Sequence, residues 1–359
     1  MPTEPRRSVL VAAGGTGGHL FPGLAVADEL RRRDPARRVL FVGTPRGLES
    51  RLVPRAGYPL ALLPILPLNG VGLLRMLKGL LALPWALLKA AALVLRERPA
   101  AVLGVGGYAG GPLVLVAALL GVRTVILEPN ARPGFTNRVL RPFVSRAACA
   151  WEPAQALFGA KGVLTGNPVR ADFAALPGPA RPQAPPALLV FGGSQGSRVL
   201  NEAMVAALPA LPRELRLVHQ TGPAMLEDVR AAYAAAGRTG EGEPFLDDMP
   251  RRFAQADVVL CRSGATTCAE LAVAGKPAVL VPFAAAADDH QRVNARALEA
   301  AGGAVVIEER ELPGGRLAAT LGELVAQPDR LVAMAAAARR LGRPDAAARV
   351  ADLLEVDRV

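Results

Sequence analysis

A single histidine closes a loop that has almost no side chains. Residues 14–19 read GGTGGH and follow the apolar run SVLVAA at 8–13. Backbone N–H groups at a helix start suit an anion, and an imidazole titrates near neutral pH, where proton abstraction is wanted. His19 is therefore the candidate base, set beside a phosphate-binding loop; orienting a pyrophosphate or capping a helix would account for it equally. Three further loops have the same character: GGYAGGP at 106–112, GGSQGS at 192–197 and RSGATT at 262–267. None is a dinucleotide fingerprint, because Leu20 and Phe21 stand where a GxGxxG spacing needs its last glycine, and no GxxxxGKS or GxxxxGKT run occurs. One such loop is as often a plain strand-to-helix turn. Four of them, each behind an apolar run, argue for two phosphorylated ligands, one in each half.

Side chains next to these loops supply what a nucleotide sugar would need. Ser194, Gln195, Thr266 and Thr267 offer hydroxyl and amide groups beside a diphosphate. Glu270 falls about one turn into a helix beginning near Ala265, where a carboxylate can accept two hydrogen bonds from a ribose diol. Complementing the helix dipole explains the same position. In AAAADDHQRVNA, 284–295, the residues His290, Gln291 and Asn294 lie at a helix start. Amides there suit sugar hydroxyls, while Asp288 or Asp289 would make it an ordinary capped terminus.

Strands and helices in alternation must hold these loops. SVLVAA (8–13), RVLFVG (38–43), AAVLGV (100–105) and TVILEP (124–129) read as buried parallel strands, with LAVADELRRR (24–33) and PLVLVAALL (112–120) as helices between them. After the proline-rich passage PGPARPQAPP at 177–186 the pattern restarts with ALLVFGG (187–193), LRLVHQTG (215–222), DVVLCRSG (257–264) and PAVLVPF (277–283). The expectation is an α/β chain of two doubly wound parallel-sheet domains joined near residue 167 and facing across a cleft, the default place for a ligand.

Composition narrows the function classes. Residues 1–166 hold 21 lysines and arginines against 8 acids, and residues 167–359 hold 21 against 23. The first half therefore faces something anionic: lipid headgroups, nucleic acid or a phosphorylated substrate. An aromatic content of 4% offers few stacking platforms and argues against nucleic acid. Cys149, Cys261 and Cys268 show no CxxC spacing and the three histidines stand apart, so reduced thiols and no metal site are expected. The uncharged stretches 56–74 and 99–122 are broken by prolines or glycines, and the run behind Arg6 and Arg7 is short, so no membrane span and no signal peptide are expected. A peripheral contact is expected instead from residues 73–96. At ~100° per residue Arg75, Lys78, Lys89 and Arg96 share an arc of about 60°, with Leu74, Leu81 and Trp85 beside it. Pro84 is expected to kink or split that helix, and a core helix with a solvated basic edge is the plainer reading.

In order, the chain contains GGTGGHLFPGLAVADEL, GVGGYAGGP, EPN at 128–130 with TN at 136–137, TGNPVR, FGGSQGSRVLN, FLDDM, CRSGATTCAEL and DDHQRVNA. Over essentially its whole length it resembles the MurG family, inverting GT-B glycosyltransferases (family 28) of bacterial cell-wall synthesis. The resemblance implies transfer of N-acetylglucosamine from UDP-GlcNAc to the muramyl 4-hydroxyl of undecaprenyl-pyrophosphoryl-MurNAc-pentapeptide (lipid I), forming lipid II at the cytoplasmic face of the inner membrane. It implies an acceptor- and membrane-binding domain over 1–167 with a returning helix at 345–359, and a UDP-GlcNAc-binding domain over 168–344. Thr16, Gly17, Gly18, Asn130, Arg170, Ser194, Leu246, Gln291 and the run Ala265, Thr266, Thr267, Cys268, Ala269, Glu270 fall on nucleotide-sugar positions, Leu246 through its backbone. Gly14, Gly15, Gly106, Gly107, Tyr108, Gly110 and Gly111 fall around the acceptor pyrophosphate. No metal or other cofactor is implied, because helix N-termini and Arg170 can meet the charge of departing UDP. Glu128 is the substitute for His19 as base. Partners implied are anionic phospholipid and proteins of cell-wall synthesis and division. The alternatives are a GT-B glycolipid synthase using diacylglycerol, or a UDP-GlcNAc 2-epimerase.

Overall fold

The computed structural model describes residues 8–355 apart from 15–16, 46, 66–72, 179–180, 194, 239 and 287–288, and only the backbone of 73–78, 80, 108 and 109. The chain divides into two compact units, residues 1–170 with 343–359, and residues 171–342.

Unit 1 is a seven-stranded parallel sheet in the order β3-β2-β1-β4-β5-β6-β7. Its strands are β1 (Val9–Ala12), β2 (Val39–Gly43), β3 (Leu60–Leu62), β4 (Ala101–Gly104), β5 (Arg123–Glu128), β6 (Arg146–Cys149) and β7 (Gly162–Leu164). Between them run α1 (Gly17–Arg33), α2 (Glu49–Arg55), α3 (Leu73–Glu97), α4 (Gly107–Leu119), α5 (Phe135–Leu140) and α6 (Glu152–Phe158). Both sheet faces are covered, which is why the strands are apolar throughout rather than alternating. Leu10 and Ala12 of β1 enter a core with α3 and α4, while Val9 and Val11 enter another with α1.

Unit 2 is a six-stranded parallel sheet in the order β10-β9-β8-β11-β12-β13. Its strands are β8 (Ala187–Phe191), β9 (Arg216–Gln220), β10 (Gly240–Glu243), β11 (Val258–Cys261), β12 (Ala278–Leu280) and β13 (Ala304–Val306). Its helices are α7 (Ala171–Ala174), α8 (Arg198–Ala207), α9 (Leu226–Ala235), α10 (Met249–Gln255), α11 (Ala265–Ala274), α12 (His290–Ala300), α13 (Arg316–Val325) and α14 (Pro328–Leu341). The last helix, α15 (Ala346–Glu355), belongs to unit 1. It buries Val350, Ala351 and Leu354 against the α1 side of the sheet, and Arg33 reaches Asp352 and Glu355 at 2.7 Å each.

All eight strands expected from apolar runs are present. The five others are short or lack such a run: β3 has three residues, and β10 is GEGE. One expectation is corrected. Pro84 does not split its helix, because α3 continues through it for 25 residues. Pro84 is exposed, so the gap it makes in the hydrogen-bond ladder is open to water. No helix among the described residues is long and apolar enough to cross a membrane.

Candidate functional site

In each sheet the strand order reverses once, between β1 and β4 in unit 1 and between β8 and β11 in unit 2. Loops at the carboxyl ends of strands flanking such a switch point diverge and leave a crevice. The four glycine loops leave these four strands: 13–16 follows β1, 105–106 follows β4, 192–197 follows β8 and 262–264 follows β11.

In unit 1 the parallel register pairs Ala12 with Gly104, so the first two loops emerge side by side. His19, in the first turn of α1, lays its imidazole against the second loop. A Cβ at Gly106 would lie 2.9 Å from His19 Cδ2, and one at Gly107 would lie 3.2 Å from the Gly14 carbonyl and 3.5 Å from His19 Nδ1. Gly106 also has φ 101° and ψ −173°, a conformation essentially reserved for glycine. Part of the bareness of these loops therefore admits the protein's own imidazole. Arg170 stacks its guanidinium 4.8 Å from the Phe21 ring on the same turn of α1.

Glu128 ends β5 and is buried. Its Oε1 accepts from the Asn130 N–H at 3.0 Å and Nδ2 at 3.2 Å, and its Oε2 accepts from the Gly134 N–H and Asn137 Nδ2 at 2.9 Å each. Four donors fill the lone-pair positions of one carboxylate. Burial raises its pKa and these donors pull the other way. So engaged, Glu128 sets the course of residues 128–137 and aims Asn130. To accept a proton from a ligand it would have to release a donor. Trp151 adds a clamp that sequence reasoning missed, its indole N–H donating to the Pro129 carbonyl at 3.2 Å.

In unit 2, Gly264 opens α11, the helix expected near Ala265. Ala265, Thr267 and Ala269 are partly exposed, while Thr266, Cys268 and Glu270 are buried, so exposure alternates along the first turns of the helix rather than following one face. Desolvation pushes the Cys268 thiol up to about 12, which leaves it a neutral packing group. Leu246 is buried and Gln195 is exposed. Gln291 Oε1 accepts from the Phe283 N–H at 3.0 Å, and Ser263 Oγ donates to the Gln291 carbonyl at 2.8 Å. The side-chain oxygen of Gln291 is thus committed to its own chain.

Arg262 is the second residue missed. Its guanidinium donates to Ser197 Oγ at 3.0 Å, the Val281 carbonyl at 3.2 Å and the Pro282 carbonyl at 3.3 Å, and it pairs with Glu309 at 2.6 Å. One side chain so ties together the loops after β8, β11, β12 and β13. The signal was present, a cation immediately before the SGATT loop.

Thr16, Gly15 and Ser194 lie outside the described residues, as do the side chains of Leu74, Arg75, Lys78 and Tyr108. The remaining predicted residues are divided between the units. His19, Gly14, Gly17, Gly18, Leu81, Trp85, Lys89, Gly106, Gly107, Gly110, Gly111, Glu128, Asn130 and Arg170 are in unit 1, and Gln195, Leu246, 265–270 and Gln291 are in unit 2.

Two doubly wound units in one chain, each with glycine loops at its switch point, make up the GT-B fold. Family models match both halves: the glycosyltransferase family 28 N-terminal domain over residues 9–149 and its C-terminal domain over 187–350. The chain belongs to glycosyltransferase family 28. A protein of Myxococcus xanthus strain DK1622, named "UDP-N-acetylglucosamine--N-acetylmuramyl-(pentapeptide) pyrophosphoryl-undecaprenol N-acetylglucosamine transferase", is 49% identical over 352 residues, covering 96% of this chain and 91% of its own length. The crystal structure of Acinetobacter baumannii MurG shares 33% identity with a TM-score of 0.78, covering 97% of this chain and 99% of that one. A UDP-N-acetylglucosamine 2-epimerase superimposes with a TM-score of 0.67 at 15% identity over 96% of this chain and 95% of its own. That likeness is one of fold.

Proposed function

We infer that this chain transfers N-acetylglucosamine from UDP-GlcNAc to the muramyl 4-hydroxyl of lipid I, giving lipid II with inversion at the anomeric carbon. The observation that carries the reading is the 49% identity, over 96% of the chain, to the M. xanthus transferase. The acceptor pyrophosphate is assigned to the loops of unit 1, with Gly14, Gly15, Gly106, Gly107, Tyr108, Gly110 and Gly111 around it. His19 takes the proton of the 4-hydroxyl as that oxygen attacks the anomeric carbon and the bond to UDP breaks on the opposite face. Glu128 acts through Asn130 and the loop it holds.

The donor diphosphate is assigned to Ser194, Gln195, Thr266 and Thr267 at the N-terminus of α11. There the helix dipole and hydrogen-bond donors offset the charge of departing UDP, and the reading calls on no metal. Glu270 is assigned to the ribose and the Leu246 backbone to the uracil. Gln291 meets the sugar with its Nε2, since its Oε1 is held by Phe283. Thr16, Gly17, Gly18, Asn130 and Arg170 are carried over from the family likeness. A lipid-linked acceptor also calls for contact with the cytoplasmic face of the membrane. α3 suits it, with Leu81 81%, Leu88 63% and Trp85 57% exposed and the Lys89 ammonium 5.3 Å from the Trp85 ring.

The test is radiolabelled transfer from UDP-GlcNAc to a short-chain lipid I analogue. Label should enter the lipid product only when the acceptor is present. Conversion of UDP-GlcNAc without acceptor would identify an epimerase, and transfer to diacylglycerol a glycolipid synthase.

A further inference from the structure

A second apolar face of unit 1 stands uncovered on α5. The helices α3, α4 and α5 lie on one side of the sheet, for Ala86 and Ala90 of α3, Leu113 and Val114 of α4, and Leu140 of α5 enter one core. α4 packs against both of the others. With Leu140 and Val144 turned inward, the outer side carries apolar residues every fourth position. Phe135 is 54% exposed, Val139 52% and Phe143 47%. Three bulky exposed apolar groups within nine residues mark an interaction surface rather than a stray exposed residue.

The surroundings of this face select the partner. From Pro129 to Trp151 the chain contains Arg132, Arg138, Arg141 and Arg146 and no acid, and all four arginines are exposed. Lys161 adds a fifth cation, donating to the Arg141 and Pro142 carbonyls at 3.1 and 2.8 Å. Exposed apolar side chains on a segment whose only charged residues are cations are complementary to anionic headgroups above an acyl layer. A nucleic acid would use the arginines and leave Phe135, Val139 and Phe143 in water. The segment also lies beside the glycine-rich start of α4, since a Cβ at Gly111 would meet Thr136 Cγ2 at 3.3 Å.

We propose that α5 with the turn after it is a second membrane contact, separate from α3, which enters an anionic bilayer interface through Phe135, Val139 and Phe143 and sets the start of α4 at headgroup depth. The proposal deepens the reading of a lipid-linked acceptor and rests on it. Sedimentation of the full chain with sucrose-loaded vesicles of phosphatidylglycerol and phosphatidylethanolamine at low salt tests it. The variants are Phe135→Ser/Val139→Ser/Phe143→Ser and, for α3, Leu81→Ser/Trp85→Ser. The α5 variant should lose about tenfold or more of its vesicle partitioning, while its turnover with a water-soluble short-chain acceptor stays at the wild-type level. Wild-type partitioning of the α5 variant overturns the proposal, even where the α3 variant is released. So does a wild-type protein that stays in the supernatant, or an α5 variant that binds vesicles normally but loses an RNA mobility shift. Transfer to the water-soluble acceptor, measured on the same preparation, reads the enzymatic assignment independently of the membrane.

Discussion

Gly106→Ala is the sharpest probe of the reaction centre, because the structure states what a single methyl group would do there. The new Cβ would sit 2.9 Å from His19 Cδ2 and 3.1 Å from Nε2, so the imidazole must move by several tenths of an ångström or more. The backbone is at φ 101° and ψ −173°, which costs a non-glycine residue about 1–3 kcal/mol. Stability should fall by that amount in urea unfolding. A catalytic group misplaced by about 1 Å can cost about 100-fold, so kcat for transfer to a soluble acceptor should drop about 10- to 100-fold. A double-mutant cycle separates the two effects. In a His19→Ala background the ring is gone and the methyl group has room. Gly106→Ala should then change the residual kcat by less than about twofold while still lowering stability, since the backbone strain remains. An equal fold-loss of kcat in both backgrounds would refute the argument, because the glycine would then act on something other than the imidazole.

Glu128→Gln offers one acceptor oxygen to a place that has donors on both, so it should lower stability by about 2–5 kcal/mol; a change under about 1 kcal/mol in urea would show that the four hydrogen bonds are not holding the loop. Arg262→Lys replaces a fork touching four loops with a point charge, and should raise the KM for UDP-GlcNAc about tenfold with kcat within about threefold; an unchanged KM would remove Arg262 from donor-loop positioning. His219 is buried between Tyr233 Oη at 2.9 Å and Asn201 Oδ1 at 3.0 Å, and desolvation lowers its pKa from 6.5 to about 4. The folded state keeps it neutral while the unfolded chain takes up a proton, so its contribution is fully present above about pH 6.5 and is lost as pH falls toward 4, a decline of roughly 3 kcal/mol. Urea unfolding at pH 7 and pH 4.5 measures it, and a His219→Gln variant whose pH slope matches the wild type would count against this source.

The regular elements were legible where burial on both sheet faces writes itself as an apolar run. Leu188 to Phe191 and Val258 to Cys261 are such runs, short and closed by a glycine loop, and both are central strands. The strands that escaped are short or polar: β3, β7 and β13 have three residues each, and β10, at a sheet edge, reads GEGE. The site divides in the same way. Loop positions followed from glycine spacing, because a strand-to-helix turn at a carboxyl edge has a local signature. Roles that depend on distant partners did not. Glu128 is a carboxylate next to an asparagine in sequence, and only the folded chain brings Gly134 and Asn137 onto its second oxygen. Arg262 adjoins a recognised loop, yet its partners at 197, 281, 282 and 309 are joined only by the sheet.

Glycine itself has two different uses in these loops, and the structure separates them by what each missing side chain would have met. A Cβ at Gly106 would strike His19, and one at Gly196 would come 2.1 Å from the Thr221 carbonyl. Those positions are bare so that the protein can close upon itself. Gly193 would meet nothing within 4 Å, and Gly264 only Thr267 Oγ1 at 4.0 Å. Gly264, at φ −59°, has no backbone need for glycine, and close approach of an external phosphate is the remaining reason to omit its side chain, whereas Gly193, at φ 99°, is glycine for its backbone whatever lies outside it. Both lie in unit 2, at the ends of β8 and β11 on either side of its switch point. Alanine at Gly264 should therefore weaken UDP-GlcNAc binding, seen as a raised KM, whereas alanine at Gly193 or Gly196, both at positive φ, should first destabilise the fold. Unfolding curves and KM values for the three variants decide it, and a Gly264→Ala variant with wild-type KM would break the link between open glycines and the donor.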